Sequence, residues 1–307
     1  MTPAAFANAL ILTGPTASGK SEVGLLLAER LDAEIISMDS MALYRGMDIG
    51  TAKPSRADRQ RIPHHLFDVL DPWESASLAW WLRAAAECVR DIEARGKRAL
   101  IAGGTPLYLK GTLHGIFDGP VADPALRRRL EAEPSAALHV RLAMVDPPAA
   151  LRLHPNDQRR LVRALEVFEL TGRPMSEWQQ QFQKQPTRRF PPVWLDLPRE
   201  TLYSRINHRA LAMFAAGLVE EVRRLAELPK PLSKEAQQAL GYKEVLVHLE
   251  GKRDLQATIA EVQLRSRNFA KRQLTWFRNL RGCERTEVDS KEPASSLADR
   301  LAERWAR

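Results

Sequence analysis

The residues Gly14-Pro15-Thr16-Ala17-Ser18-Gly19-Lys20-Ser21 fit the pattern G-x-x-x-x-G-K-[ST]. Glycines at its first and sixth positions let backbone amides turn inward around a bound anion. Lys20 adds a point charge, Ser21 offers a hydroxyl that can ligate Mg²⁺, and a helix starting here adds its dipole. The chemistry on offer is diphosphate binding. Because the pattern also occurs by chance in unrelated loops, its flanks carry the reading. Ala9-Leu10-Ile11-Leu12 predicts a strand, and Glu22 to Leu31, with Val23, Leu26, Leu27 and Leu31 at helical spacing, predicts a helix. The loop alone does not disclose which diphosphate it holds.

Asp39 ends a predicted strand in Ser37-Met38-Asp39-Ser40. A carboxylate there can cap the following turn, act as an outer ligand of Mg²⁺, or accept a proton as a general base, and its spacing leaves these open. Gly103-Gly104-Thr105-Pro106-Leu107-Tyr108 follows another predicted strand and opens a helix. It either offers amides and a hydroxyl to an anion or is a tight turn, and it lacks the acidic pair of an ATPase strand.

Further along, a helix starting at Asn156 or Asp157 and ending near Gly172 places Arg159, Arg160 and Arg163 on one face. Leu161, Leu165 and Phe168 form its expected buried stripe. A solvated face and RNA phosphate contact both accommodate these arginines, and His154 before them reads as structural. A long helix is predicted from Thr258 to Leu280. Ile259, Val262, Ser266, Phe269, Gln273, Trp276, Phe277 and Leu280 fall within one arc of about 100° there. Gln273 lies inside that core stripe, where an unpaired amide is costly, so it requires backbone or a ligand as partner. Arg265 and Arg272 border the stripe, while Arg267, Lys271 and Arg278 project from the opposite face. Arg223 has no local feature that separates it from a solvated helix arginine. The Gly241-Tyr242-Lys243 turn stays open, and His64 and His65 lack metal-ligand spacing.

The elements that position these residues alternate over the first 115 positions. Leu10–Leu12, Ile35–Ser37 and Arg98–Ile101 predict strands, Leu66–Leu70 a weaker one, and Leu78 to Ala94 a helix before the Gly96 stop. Strands separated by helices imply a parallel sheet covered on both faces, with ligands at the carboxyl ends of its strands. From Val121 to Arg189 the strand signal disappears and helical patterns run between Asp123-Pro124, Pro147-Pro148 and Gly172-Arg173-Pro174. Pro186 to Pro192 reads as a return linker and Val193–Leu197 as a further strand. The expected fold is α/β, a P-loop NTPase-like parallel sheet built from residues 1–120 and 191–307, with an inserted all-helical domain over 121–190.

With 44% hydrophobic and 27% charged residues the chain has ordinary globular composition. No apolar run approaches the roughly eighteen residues of a membrane span, and residues 1–10 carry no charged leader. A cytoplasmic protein without membrane contact is expected, and nothing demands more than a monomer. Cys88 and Cys283 are too few for a disulfide framework or a zinc site. The net charge of +8 is concentrated: residues 251–285 hold nine Lys or Arg against three acids, and 151–190 hold eight against four. Two basic patches point to a polyanionic partner.

Together these segments resemble the tRNA dimethylallyltransferase family. The resemblance rests on Gly14–Ser21, Asp39-Ser40, Tyr44-Arg45-Gly46-Met47-Asp48-Ile49-Gly50-Thr51-Ala52-Lys53-Pro54 and Gly103-Gly104-Thr105. It continues through His154–Asp157, Arg160–Glu166, Gly241-Tyr242 and Ala270-Lys271-Arg272-Gln273 with Trp276, from about residue 10 to 281. The string from Gly46 to Pro54 is far more specific than the phosphate loop. The resemblance implies transfer of dimethylallyl from dimethylallyl diphosphate to the exocyclic N6 amine of the adenosine immediately 3′ of the anticodon. It implies Asp39 as base, and Thr105 and Arg223 binding the diphosphate with Lys20 and the loop Gly14, Pro15, Thr16, Ala17, Ser18 and Gly19, while Ser21 helps to hold Mg²⁺. Implied tRNA contacts are Asp39, Ser40, Met41 and Ala42; Arg159, Arg160, Leu161, Val162 and Arg163; Gly241, Tyr242 and Lys243; and Lys271, Arg272, Gln273 and Arg278. The chain lacks the zinc-binding extension of some eukaryotic relatives, and its tail after Cys283 lies outside the resemblance. A P-loop nucleotide or small-molecule kinase, binding ATP under an arginine-rich lid, is the main alternative. A GTPase-like RNA-binding module is disfavoured by the missing Asn-Lys-x-Asp motif.

Overall fold

A computed structural model describes residues 3–117, 119–179 and 188–306. Six strands form one sheet in the order β3-β2-β4-β1-β5-β6. They are β1 (Leu10–Thr13), β2 (Ala33–Ser37), β3 (His64–His65), β4 (Arg98–Gly103), β5 (Val193–Asp196) and β6 (Glu284–Glu287). Every pairing is parallel, with Thr13 opposite Gly103 and Ser37 opposite Ala102. Strands β1, β2 and β5 are buried along their whole length rather than alternately, and the one acid inside β2, Glu34, is paired with His65 and Arg95.

The helices that bear on function, in chain order, are α1 (Lys20–Arg30), α2 (Leu78–Ala94), α3 (Pro106–His114), α4 (Gln158–Thr171), α5 (Arg199–Ala215), α6 (Leu218–Ala226), α7 (Tyr242–Leu249), α8 (Leu255–Asn279) and α9 (Ala294–Ala306). Helix α2 has the predicted bounds, with Ser77 capping it and Gly96 turning at φ 73° just beyond. Helix α1 starts two residues before the predicted Glu22, because Gly19 at φ 86° is already its N-cap. Helix α8 starts earlier than Thr258, because Asp254 accepts from Ala257 N at 2.8 Å.

Two compact units result, Pro3–Leu113 with Thr187–Arg307, and His114–Pro186. The second is helical throughout its described elements, around Leu130, Leu138, Leu142, Leu161 and Leu165. Of the expected linker, residues 186 and 187 lie outside the described residues, and 188–192 carry no helix or strand.

Three expectations are corrected. The weak strand over Leu66–Leu70 does not form, since Leu66 and Asp68 adopt φ of 61° and 55°; pairing occurs instead at His64–His65, with an isolated bridge from Leu70 to Tyr44. On α8, Phe269 is exposed, and the buried set is Thr258, Val262, Ala270, Gln273, Leu274 and Phe277. The core face is thus rotated slightly from the predicted arc, toward Ala270 and Leu274. On α4, Phe168 is only half-buried, while Val162, Ala164 and Val167 join Leu161 and Leu165 inside.

The tail after Cys283 belongs to the core. Strand β6 closes the sheet beside β5, and α9 lays Leu297, Ala298, Leu301 and Trp305 into the same apolar cluster as Val23 and Leu27 of α1. Glu-Arg-Thr-Glu gave no strand signal because only Thr286 points inward on this polar edge. Burial pushes the Cys283 thiol up to about 12 and raises that of Cys88, which leaves both as inert structural thiols. Trp305 is 1% exposed, so Trp305→Ala is expected to cost about 3–5 kcal/mol of unfolding free energy in chemical denaturation. A loss below about 1 kcal/mol would detach α9 from the core.

Candidate active site

The phosphate loop joins β1 to α1 under tight local constraint. Gly14 sits at φ 153°, and a Cβ there would lie 2.9 Å from Ser18 Oγ and 3.2 Å from Leu195 O. Only glycine lets the loop leave the strand this close to β5. Lys20 Nζ reaches back over the loop and donates to Pro15 O at 3.0 Å. Burial, reinforced by the Arg209 charge and opposed by Asp39, pulls the Lys20 ammonium down to about 8.

Beside the loop, β2 and β4 end together. A Cβ on Gly103 would fall 2.3 Å from the Met38 carbonyl carbon, and Thr105 N donates to Met38 O at 3.1 Å. Thr13 Oγ1 ties β1 into the same group by donating to Gly103 O at 2.7 Å. Asp39, at the end of β2, therefore stands beside the Thr105 turn, which lies between it and the phosphate loop in strand order. Its Oδ1 accepts from Met41 N at 2.9 Å, while Oδ2 accepts no hydrogen bond among the described residues. Thr105 Oγ1 accepts from Ser40 N at 3.1 Å, so its own proton is free to be donated elsewhere. One carboxylate oxygen thus orients Asp39, and the other is available to take a proton.

Helix α5 supplies two groups the sequence reading passed over. Arg205 Nη1 lies 3.6 Å from where a Cβ on Gly19 would sit. Arg209, one turn on, shares the electrostatic environment of Lys20 and Asp39; burial lowers its pKa and Asp39 opposes the shift. The available signal was their i, i+4 spacing, which places two arginines on one helix face. Lys20 and Arg209 therefore outnumber Asp39 in the cluster, a balance suited to an anionic ligand.

Gln273 finds its partners in backbone. Its Oε1 accepts from Thr16 N at 2.9 Å and its Nε2 donates to Gly104 O at 2.6 Å. At 3% exposure it cannot present its side chain to RNA, which corrects that expectation. Similar corrections apply to Ala42, at 3% exposure, and to Tyr242, whose ring packs on Gly50 and whose hydroxyl donates to Glu221 Oε1 at 2.6 Å. Glu221 also accepts from the amides of Asp48, Ile49 and Gly50 at 3.0, 2.9 and 3.3 Å. Lys53 adds a second anchor by donating to Tyr44 O, Asp48 and Asp68 at 2.6, 2.8 and 2.5 Å. The distinctive string from Gly46 to Pro54 is thus pinned at both ends.

Arg223 is exposed on α6, with a loose 3.9 Å pair to Glu220. Lys243 donates to Gln238 Oε1 at 2.9 Å beside the Gly241 turn. On α8, Lys271, Arg272 and Arg278 are exposed, but Arg267 is not free, since it donates to Asn207 Oδ1 at 2.5 Å. Lys271 and Arg272 join Asn268, Thr275, Trp276 and Asn279 around a cavity of about 610 Å³.

In the helical unit, Arg159 and Arg160 are exposed at the start of α4. Leu161 and Val162, at 0% and 3% exposure, are core residues whose side chains are closed to RNA. Arg163 donates to Glu166 at 2.5 Å. Burial pushes the Glu166 carboxyl up, but hydrogen bonds from Arg127, Arg163 and the Asp123 amide outweigh it and hold the group below its ordinary range. Among the described residues no helix is long and apolar enough to cross a membrane, and no group of three or more His, Cys, Asp or Glu could hold a metal ion.

A parallel α/β sheet that brings a G-x-x-x-x-G-K-S loop, a carboxylate and a hydroxyl to the carboxyl ends of its strands has the layout of an α/β enzyme with its site at those ends. Residues 42–280 match the family model described as IPP transferase. The chain is 47% identical over 275 residues to a tRNA dimethylallyltransferase of Geobacter metallireducens, covering 88% of this chain and 89% of that one. Among solved structures it resembles the full-length tRNA isopentenylpyrophosphate transferase of Bacillus halodurans, with 35% identity, TM-score 0.71, and 98% and 97% of the two chains covered. It also resembles a eukaryotic dimethylallyltransferase captured acting on tRNA, with 28% identity, TM-score 0.76, and 92% and 74% covered. The chain belongs to the IPP transferase family.

The depressed Lys20 ammonium gives a pH test. Below about 8 it is charged and attracts a diphosphate; above that it is neutral. The affinity for inorganic pyrophosphate is therefore expected to fall as pH rises through 8, with proton uptake on binding near that pH, as read by calorimetry in buffers of different ionisation enthalpy. A flat profile between pH 7 and 9 would contradict it.

Proposed function

We propose that this chain transfers the dimethylallyl group of dimethylallyl diphosphate to the exocyclic N6 amine of the adenosine immediately 3′ of a tRNA anticodon. The observation that carries this reading is the convergence of Lys20, Thr105 and the free oxygen of Asp39 at the ends of β1, β4 and β2. The amine lone pair forms the C–N bond at the allylic carbon as the C–O bond to diphosphate breaks, and diphosphate departs with that electron pair. The nitrogen becomes acidic only as it bonds to carbon, so the carboxylate of Asp39 is basic enough to receive its proton. Lys20, Arg209, the loop amides and the Thr105 hydroxyl stabilise the charge that develops on the leaving oxygens. The adenine must be unstacked to reach this point, at a cost of roughly a few kcal/mol.

The donor set fits Mg²⁺ brought in with substrate. This ion takes one or two protein oxygens and completes its shell with phosphate oxygens and water. Ser21, exposed in the first turn of α1, supplies the hydroxyl, with the Asp39 carboxylate nearby in the same site. When bound, magnesium adds positive charge to the diphosphate. The kinase alternative is not favoured: β4 ends in Gly103-Gly104-Thr105, without an acidic pair, and the family and its relatives are prenyltransferases by name.

Purified protein with Mg²⁺ is expected to move radiolabel from dimethylallyl diphosphate to an unmodified tRNA with adenosine after the anticodon. ATP turnover with unlabelled tRNA would overturn the reading. Asp39→Asn keeps the Oδ1 acceptor for Met41 N but removes the base, so turnover should drop at least about a hundredfold with tRNA binding intact. Unchanged turnover would return Asp39 to a turn-capping role.

The tRNA surface is best represented by exposed cations: Arg159 and Arg160 on α4, and Lys271, Arg272 and Arg278 on α8. Replacing Arg159 and Arg160 with alanine is expected to weaken tRNA binding and flatten its logarithmic salt slope by roughly 0.7–0.9 per lost phosphate contact, sparing pyrophosphate affinity. An unaltered slope would mark both as solvated. Arg163→Ala is a different experiment, because it removes one of the three partners of the fully buried Glu166 and leaves Arg127 and the Asp123 amide.

A further inference from the structure

Backbone amides of a phosphate loop turn inward around the bound anion. Here one is taken. The Thr16 amide is spent on the Gln273 side chain, which also holds the carbonyl of Gly104, the residue between the end of β4 and Thr105. Gln273 stands close against that turn: a Cβ on Gly104 would lie 2.9 Å from its Nε2, 3.0 Å from Gly14 O and 3.4 Å from the Lys20 side chain. Two backbone segments, the phosphate loop and the Gly104 turn, are thus bridged by a single amide that reaches in from α8, far away in sequence.

We propose that Gln273 is the positioning residue of the diphosphate cradle: by bridging Thr16 to Gly104 it fixes the separation between the phosphate loop and the Thr105 turn. This inference rests on the diphosphate reading above, and it assigns Gln273 a role opposite to the RNA contact expected from its place in the Lys271–Arg278 segment. The chemistry requires an amide. An amide both accepts from a backbone N–H and donates to a backbone carbonyl, whereas a carboxylate can only accept and a thioether or alkyl does neither. Ionised glutamate at this position would face the Gly104 carbonyl and the bound diphosphate with a negative charge. Protonated glutamate reproduces both bonds.

The test compares the full-length protein with Gln273→Met, which keeps the volume and loses both bonds, and with Gln273→Glu. Inorganic pyrophosphate in the presence of Mg²⁺ probes the cradle by calorimetry, and unmodified tRNA is titrated separately. Gln273→Met should weaken pyrophosphate at least about tenfold, as expected where buried backbone groups lose their partner, while tRNA affinity stays within about twofold. Gln273→Glu should show a defect that shrinks, relative to wild type at each pH, as pH falls from 8 to 6 and the buried carboxyl takes up its proton. A protein merely loosened by the substitution would not recover in acid. Loss of tRNA affinity with unchanged pyrophosphate binding, or a Gln273→Glu defect independent of pH, would overturn the assignment. Because binding of pyrophosphate is measured without prenyl transfer, failure of the transfer assay and failure of this inference are read apart.

Discussion

The close approach of two strand ends is the constraint on which the site depends. The backbone of β4 at Gly103 runs so near that of β2 at Met38 that no side chain fits between them. That contact sets where the chain leaves each strand, and so where Asp39 and Thr105 stand relative to one another. Thr13 extends the constraint to β1 by bonding the Gly103 carbonyl. The groups that would accept a proton and stabilise a leaving diphosphate are therefore placed by rigid backbone rather than by flexible side chains. A site built this way loses little entropy when its ligand arrives.

Charge is arranged around that frame with equal economy. Lys20 and Arg209 share one neighbourhood, and each is discouraged from carrying its charge by burial. A bound anion would relieve both at once. The Gly46–Pro54 string shows the complementary use of buried charge, with Glu221 and Lys53 satisfied almost wholly by backbone and by neighbouring acids. Its sequence is distinctive because so many of its atoms are committed to holding its own shape.

Much of this was legible in the residues. The phosphate loop, the strands at Leu10, Ile35, Arg98 and Val193, helix α2 and the cap and stop of α4 all follow from local chemistry: apolar runs, caps and glycine turns. What escaped depends on distant partners. Strand β6 has no apolar pattern of its own and exists because β5 offers an edge. Arg209 looks like any helix arginine until the fold brings it beside Lys20. Leu161, Val162, Tyr242 and Gln273 sit in segments where function was expected, yet their side chains serve packing or backbone bridging. Periodicity placed Gln273 inside correctly and could not name what it would bond.

The packing of α1 on α9 has a consequence for how the molecule is made. The helix that follows the phosphate loop buries its apolar side against Leu297, Leu301 and Trp305, near the opposite end of the polypeptide. Such a contact closes a very long loop, and its entropic cost delays it relative to local structure. During synthesis α1 leaves the ribosome long before α9, and this face of it is covered only once α9 has emerged. Its exposed apolar face in the interval is the surface a chaperone would meet on a nascent chain, and the last turns of α9 complete the enclosure of the helix on which the diphosphate loop is mounted.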